Sequence, residues 1–306
     1  IPVRCWVLPG NQHDSQCVDQ VQKDLNSWNL GRVVWVMDRG MSSEQNQRIL
    51  QRGCGQYILG EKLSGNHLNE AALATPGRYR VIADNLHIKE VFAGEGTGRR
   101  RYVIAYNPKQ AELDRINRQQ ILERLSCELE VLNRKNKTKA QCKLMLHRSM
   151  GRYVKELKSG KLKIDKAKVA QDEKLDGKYL LSTSDQHLSA EDIALGYKQL
   201  LEVERAFRTL KSTLCLRPVY HSKDDRIRSH VLLCWLALLM IRIIEVETGE
   251  SWSKIRRQMQ MLNLIEFFDK NGRILQHTEI TATQRNILKR LKLKPPKRVL
   301  KVNLNA

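Results

Sequence analysis

The sequence predicts an α/β fold whose regular strand–helix alternation gives way to an α+β stretch. Three observations carry that expectation. Strand and helix signals alternate over the first 60 or so residues. The run Val33-Val34-Trp35-Val36-Met37 is apolar without alternation, as in an interior strand covered on both faces. Beyond Ser64 the texture changes to a hairpin followed by long, strongly basic helical stretches.

Taken in order, "PVRCWVLPGN" is expected to be a strand closed by a Pro-Gly-Asn turn. A helix is expected from about Ser15 to Trp28, with Val18, Val21 and Leu25 at three to four residue spacing. "RVVWVMD" follows as the interior strand, and Asp38 stands at its end before Arg39-Gly40. An aspartate there makes a turn or holds a ligand, and the residue alone leaves both open. Ser42 to Gln51 begins with capping hydroxyls and an early acid and ends near Gly53. "GQYILGEKL" is a further strand. "HIKEVF" and "RRRYVIAYNP" flank the Gly-rich "AGEGTG" as a hairpin, and helices are expected over Lys109–Lys135 and Ala140–Leu157. "DGKYLLSTS" is a strand, "HLSAEDIALGYKQLLEVERAFRTLKSTL" a long helix, and "HVLLCWLALLMIRIIE" a buried helix, its longest apolar run being shorter than the ~20 residues of a membrane span. Pro295-Pro296 stops the last helix. These changes of texture divide the chain into 1–63, 64–175, 176–250 and a basic helical region, 251–306.

Charge narrows the partners. The 306 residues hold 54 Lys+Arg against 33 Asp+Glu, a formal net charge of +21. Such an excess draws in a polyanion, and nucleic acid is the first candidate. Between Arg99 and Lys163 there are 18 Lys/Arg against 6 Asp/Glu, and from Thr281 to Ala306 there are eight basic residues and no acid. The seven cysteines (5, 17, 54, 127, 142, 215, 234) never form C-x-x-C, which argues against a disulfide framework or a zinc site and fits a reducing cytoplasm.

On a continuous helix of ~100° per residue, Tyr197 and Lys211 fall within ~20° of Glu204 and Arg208 within ~40°. Leu200, Val203, Phe207, Leu210 and Leu214 gather ~80° to one side as an expected buried face. Glu204 and Arg208 alone read as an ordinary i,i+4 pair. With Asp38 at a strand end in a basic chain, Glu204 instead suggests carboxylates that hold hard cations for phosphoryl transfer. His221 and His230 are left out of the catalytic set, because such chemistry needs no imidazole.

Tyr197, Glu204 and Lys211, followed by "RPVYH" and "RIRSH", resemble the Tyr/Arg/Glu/Lys signature of bacterial insertion-sequence transposases of the DDE type, the IS4-like superfamily. Leu200 stands where that signature has Arg, and Arg205 and Arg208 are the nearest guanidinium groups. "LPGN", "MDRG" and "DGKYLLSTS" also fit, so the resemblance covers essentially the whole chain. It implies an RNase H-like core, a mixed sheet flanked by helices, in two parts (1–63 and 176–250) interrupted by an α+β insertion (64–175), with Asp38 as the second aspartate and Glu204 as the glutamate, both ligands of Mg²⁺ (Mn²⁺ able to substitute). It further implies that Tyr197 and Lys211 contact phosphates of the transposon end. Arg208, Arg99, Arg100 and Arg101 are expected to bind DNA backbone. The implied reaction is Mg²⁺-dependent DNA cleavage and strand transfer between terminal inverted repeats and target DNA, by a homodimer at the bacterial nucleoid in the cytoplasm.

The first aspartate is expected on a core strand preceding those seen here. Asp14, Asp19 and Asp24 lie in a helix and its lead-in and do not replace it. The expectation is therefore an N-terminally truncated chain that lacks the first core strand and does not cut DNA by itself. The alternative is a catalytically dead DNA-binding remnant.

Overall fold

The computed structural model describes all residues except 13–15, 29, 53, 54, 136, 137, 270, 271, 305 and 306. Asp14, the Ser15 helix start, the Gly53 helix end and Cys54 lie outside the described residues. The chain divides into two compact units, Gly10–Leu201 and Ile1–Pro9 with Glu202–Ala306.

The first unit runs α1 (Cys17–Asn26), β1 (Val34–Met37), α2 (Glu44–Arg52), β2 (Gln56–Glu61), α3 (His67–Ala74), β3 (Arg80–Ala83), β4 (Leu86–Ala93) and β5 (Arg100–Tyr106). It continues through α4 (Pro108–Lys135), α5 (Thr138–Met145), β6 (Val154–Glu156), β7 (Leu162–Ile164), α6 (Lys166–Glu173), β8 (Lys178–Thr183) and α7 (Ala190–Lys198). Six strands form one sheet in the order β1-β2-β8-β5-β4-β3. The β1–β2 pair is parallel and the others are antiparallel, so the sheet is mixed and flanked by helices, as an RNase H-like core requires. The β3–β5 strands, from the expected insertion, are hydrogen-bonded into the same sheet as β1, β2 and β8 rather than into a separate one.

Continuous apolar strands are explained by burial on both faces. On β5, Val103 and Ala105 join Ile58, Leu181 and Ile193 of α7 on one face. Tyr102 and Ile104 join Leu180 and Ala72 of α3 on the other. Beside them, Val18 and Leu50 of α1 and α2 pack on Met37, Tyr57 and Leu59. A satellite core under α4 holds Leu125, Leu129, Leu144, Tyr153 and Leu162. The helix expected over Ala140–Leu157 ends at Met145. Its second half becomes a short turn and β6, which pairs with β7 and closes that satellite core.

The second unit holds α8 (Leu200–Ser212), α9 (Asp224–Thr248), α10 (Trp252–Met259), β9 (Leu264–Asp269), β10 (Gly272–His277), α11 (Ala282–Arg290) and β11 (Val299–Leu304). Three corrections to the sequence reading arise here. First, Ile1–Pro9 form no strand; Val3 is 71% exposed and pairs with nothing in a sheet. Second, the C-terminal region is not wholly helical, since β11-β10-β9 form an antiparallel sheet around the pairing of "LIEFFD" with "GRILQH". Third, α9 is not a buried helix. Its only buried residues are Cys234, Leu238, Ile241 and Thr248, while Leu233, Met240 and Val246 face outward. By length and composition alone it is long and apolar enough to cross a membrane, but Arg242 within it is ion-paired to Glu202 and Glu245.

Candidate functional site

The site is built at the carboxyl end of β1. Asp38 caps the single turn of 3-10 helix that follows, its Oδ1 accepting from the Arg39 backbone N–H at 2.7 Å. The same oxygen accepts from the Tyr197 hydroxyl at 3.1 Å. The Oδ2 atom has no hydrogen bond among the described residues, and the side chain is exposed. Asp38 is thus a turn-maker through one oxygen and open to a ligand through the other.

Tyr197 reaches Asp38 because β2 carries glycine at position 60. A Cβ on Gly60 would collide with the Tyr197 hydroxyl oxygen and lie 2.9 Å from Cζ. A glycine inside a strand marks such close approaches, and this is the sequence signal for the packing of Tyr197 on β2. The Tyr197 ring also packs against the core cluster of Ile58 and Ile193. Burial, and next the charge of the Asp38 carboxylate, push its hydroxyl well above the ordinary tyrosine range, so it stays protonated and donates. The resemblance assigns Tyr197 to a DNA phosphate; here the hydroxyl is engaged by Asp38.

Tyr197 and Glu204 are not on one continuous helix. The Gln199 N–H bonds Gly196 at 3.2 Å, a tight turn that ends α7 before α8 begins. The helical stripe derived by carrying one angle through both segments therefore holds only within α8, for Glu204, Arg208 and Lys211. No residue of α8 is buried, and Val203 and Phe207 are 47% and 54% exposed, so Glu204 is exposed rather than half shielded. The i,i+4 pair of Glu204 with Arg208 is not formed either. Glu202 takes the ion pairs instead, with Arg205 and Arg242 at 2.5 Å each, which commits Arg205 and withdraws it as a substitute for the arginine missing at position 200. Glu204 has no ion-pair partner among the described residues, and Lys211 is exposed at the end of α8.

The three arginines at the β4–β5 hairpin diverge. Arg99 is exposed and lies 4.8 Å over the Phe92 ring. Arg100 is half-buried. Arg101 is a correction: it is buried, ion-paired to Glu90 at 2.7 Å, and donates to the Asp185 carbonyl at 2.8 Å, so it does not reach DNA backbone. Strand alternation holds the signal, since position 101 shares a face with the fully buried Val103.

Of the histidines, His221 and His230 sit edge to face with ring centroids 5.8 Å apart. No group of three or more His, Cys, Asp or Glu able to hold a metal occurs among the described residues. Asp38 Oδ2 and the Glu204 carboxylate have no hydrogen-bond or ion-pair partner among the described residues, and carboxylate oxygens are the donor type that a hard divalent cation takes. Asp19, one of the rejected substitutes, is half-exposed and tied to Lys23 at 2.6 Å.

A family model described as a transposase DDE domain matches residues 2–240, a span that includes Asp38, Tyr197, Glu204 and Lys211. No curated protein and no solved structure matches the chain.

Proposed function

The chain belongs to the transposase DDE-domain family, DNA-processing enzymes that generally use divalent metal ions; from that premise we propose that it catalyses Mg²⁺-dependent cleavage and strand transfer of an insertion sequence. The observation that carries the reading is Asp38, fixed at a strand end through one oxygen by Arg39 and Tyr197 and open through the other.

Asp38 and Glu204 would hold the Mg²⁺, for which Mn²⁺ can substitute. When bound, such ions neutralise charge on the phosphodiester and favour an attacking oxygen at neutral pH. The chain's own residues do the rest. Tyr197 donates to Asp38 Oδ1 and holds the carboxylate in one orientation. Lys211 and Arg208 offset negative charge on the strand beside Glu204, and Arg99 and Arg100 grip backbone without reading sequence. Water attacks phosphorus, the bond to the 3′ oxygen breaks, and that oxygen leaves as a 3′-hydroxyl. The hydroxyl then attacks a target phosphodiester, forming one P–O bond as another breaks. The assembled form is a homodimer on the paired terminal repeats, working at the bacterial nucleoid.

The test pairs cleavage with binding on DNA carrying the element ends. In a preparation that cleaves those ends with Mg²⁺, Asp38→Asn and Glu204→Gln should each remove cleavage and leave end binding intact, whereas Lys211→Ala should weaken binding. Cleavage that survives Glu204→Gln would return that residue to an ordinary solvated carboxylate.

A further inference from the structure

The second unit contains a cleft of about 590 Å³ lined by residues of α8, α9 and α10. Five arginines line it, and they fall into two groups. Arg205 and Arg242 are neutralised, the first by Glu202 and the second by Glu202 and Glu245. Arg208, Arg256 and Arg257 are exposed and have no carboxylate partner among the described residues. The walls also carry the hydroxyls of Thr209, Thr213, Ser251 and Ser253, together with the Trp252 ring.

Unpaired guanidinium groups that line one cleft repel one another unless an anion joins them. Their forked donors match the oxygens of a phosphate, and hydroxyl donors complete such a site. We propose that this cleft binds a phosphodiester of a DNA strand, with Arg256 and Arg257 as its principal ligands and Arg208 as the link to Glu204. This rests on the reading above that the chain acts on DNA. Arg208 follows Glu204 by one helical turn, about 6 Å along the axis. A strand held in the cleft therefore runs directly past the carboxylate assigned to the metal. Trp252 offers a face on which a base or sugar can stack, which a free inorganic anion would not use. Arg256 and Arg257 lie beyond the region matched by the family model, so the site is an addition to the machinery that the match itself covers.

The experiment measures affinity of the full chain for a labelled duplex across a salt series, with circular dichroism confirming the fold of each variant. Taking one cation away from a phosphate should lower the slope of log K against log salt by about 0.9, so Arg256→Ala/Arg257→Ala should lower it by about 1.8. Arg48→Ala/Arg52→Ala, which removes the same charge from α2, should leave the slope unchanged. Arg256→Lys/Arg257→Lys should restore the slope but not the full affinity, because charge returns without the fork. A wild-type slope in the Ala variant, with DNA binding otherwise normal, overturns the site and leaves the DNA reading standing. No salt-sensitive DNA binding by the wild type overturns both. Calorimetry with inorganic phosphate is the second arm: phosphate binding that depends on Arg256 and Arg257, with a DNA slope that does not, would make the cleft a free-anion site and overturn the DNA assignment.

Discussion

Ile104 on β5 and Met240 on α9 both stand in long apolar runs, yet Ile104 is fully buried and Met240 is 64% exposed. In the Gly10–Leu201 unit, every central strand is covered on both faces, so an apolar run and a core coincide. In the unit formed by Ile1–Pro9 and Glu202–Ala306, α8 buries no residue and α9 buries only a narrow stripe. An apolar pattern reports which residues gain by leaving water. It does not report whether a surface is folded against them, and a strand inside a sheet has that surface guaranteed on two sides while a helix does not.

The largest test of this contrast is a pair of truncations. Ile104→Ala should cost about 2–5 kcal/mol, because it opens a cavity in a core that cannot collapse fully. Met240→Ala should stay within about 0.5 kcal/mol, as surface substitutions do. Urea unfolding followed by circular dichroism measures both. Similar losses for the two would mean that α9 is covered in solution and would erase the distinction.

Next in size is the packing at the candidate site. Gly60→Ala places a methyl group against the Tyr197 hydroxyl and ring, so Tyr197 must move away from Asp38. Overpacking of this kind costs about 1–3 kcal/mol. Tyr197→Phe in the same background removes the closest atom and should recover part of the loss. A Gly60→Ala variant as stable as the wild type, with tyrosine ultraviolet absorbance unchanged, would show that Tyr197 does not lie against β2.

How far these features are legible in the sequence follows from the same physics. The strands at 34–37, 56–61 and 178–183 are readable, because two-sided burial writes continuous apolar residues into the chain. The interior position expected for 34–37 is a correction, since β1 is the edge strand of the sheet and only Met37 in it is buried; apolar residues report covered faces, not a hydrogen-bonded neighbour on each side. Asp38 is readable as a residue at a strand end, though not as one whose two oxygens have different jobs. The Tyr197–Asp38 bond spans 159 positions and no local period encodes it. The burial of Arg101 is hidden because three consecutive arginines look solvated, although strand alternation separates the last of the set from its neighbour. The break at Gln199 is hidden because both flanking segments favour helix, and a single tight turn between them leaves little trace in composition. The cleft arginines escape notice because their meaning depends on which acids are already taken, and only the folded positions of Glu202 and Glu245 reveal that.

A smaller effect, in pH rather than mutation, sharpens the account of the sheet unit. The Asp185 side chain is fully buried and accepts from the backbone N–H groups of His187 and Leu188 at 2.7 and 2.8 Å and from Arg32. Burial pushes its carboxyl up, but the Leu188 amide, Arg32 and the His187 amide together outweigh it and hold the value below the ordinary aspartate range. A depressed folded value means the unfolded chain binds more protons in this window. The stabilisation is therefore complete above about pH 4, the unfolded aspartate value, and is lost as pH falls through the folded value. Asp185→Asn should flatten that acid limb of a stability profile measured by denaturant unfolding. An unchanged limb would assign acid sensitivity to other carboxylates.

The smallest expected change concerns α8, and it bears most directly on the comparison. Val203 and Phe207 are about half exposed in a helix whose neighbours leave that face open. Replacing both by Ser removes apolar surface that is already largely in water, so the hydrophobic loss is small. The remaining cost is helix propensity, which changes little because Ser ranks beside Val and Phe on that scale. The double variant should therefore unfold within about 1 kcal/mol of the wild type. A loss well beyond that, together with a shift toward smaller species in analytical ultracentrifugation, would mean that the face is buried against a second copy of the chain. The openness of α8 would then be a property of the isolated protomer alone. A loss of that size without a change in sedimentation would instead require α8 to pack within its own chain more tightly than the exposures of Val203 and Phe207 allow.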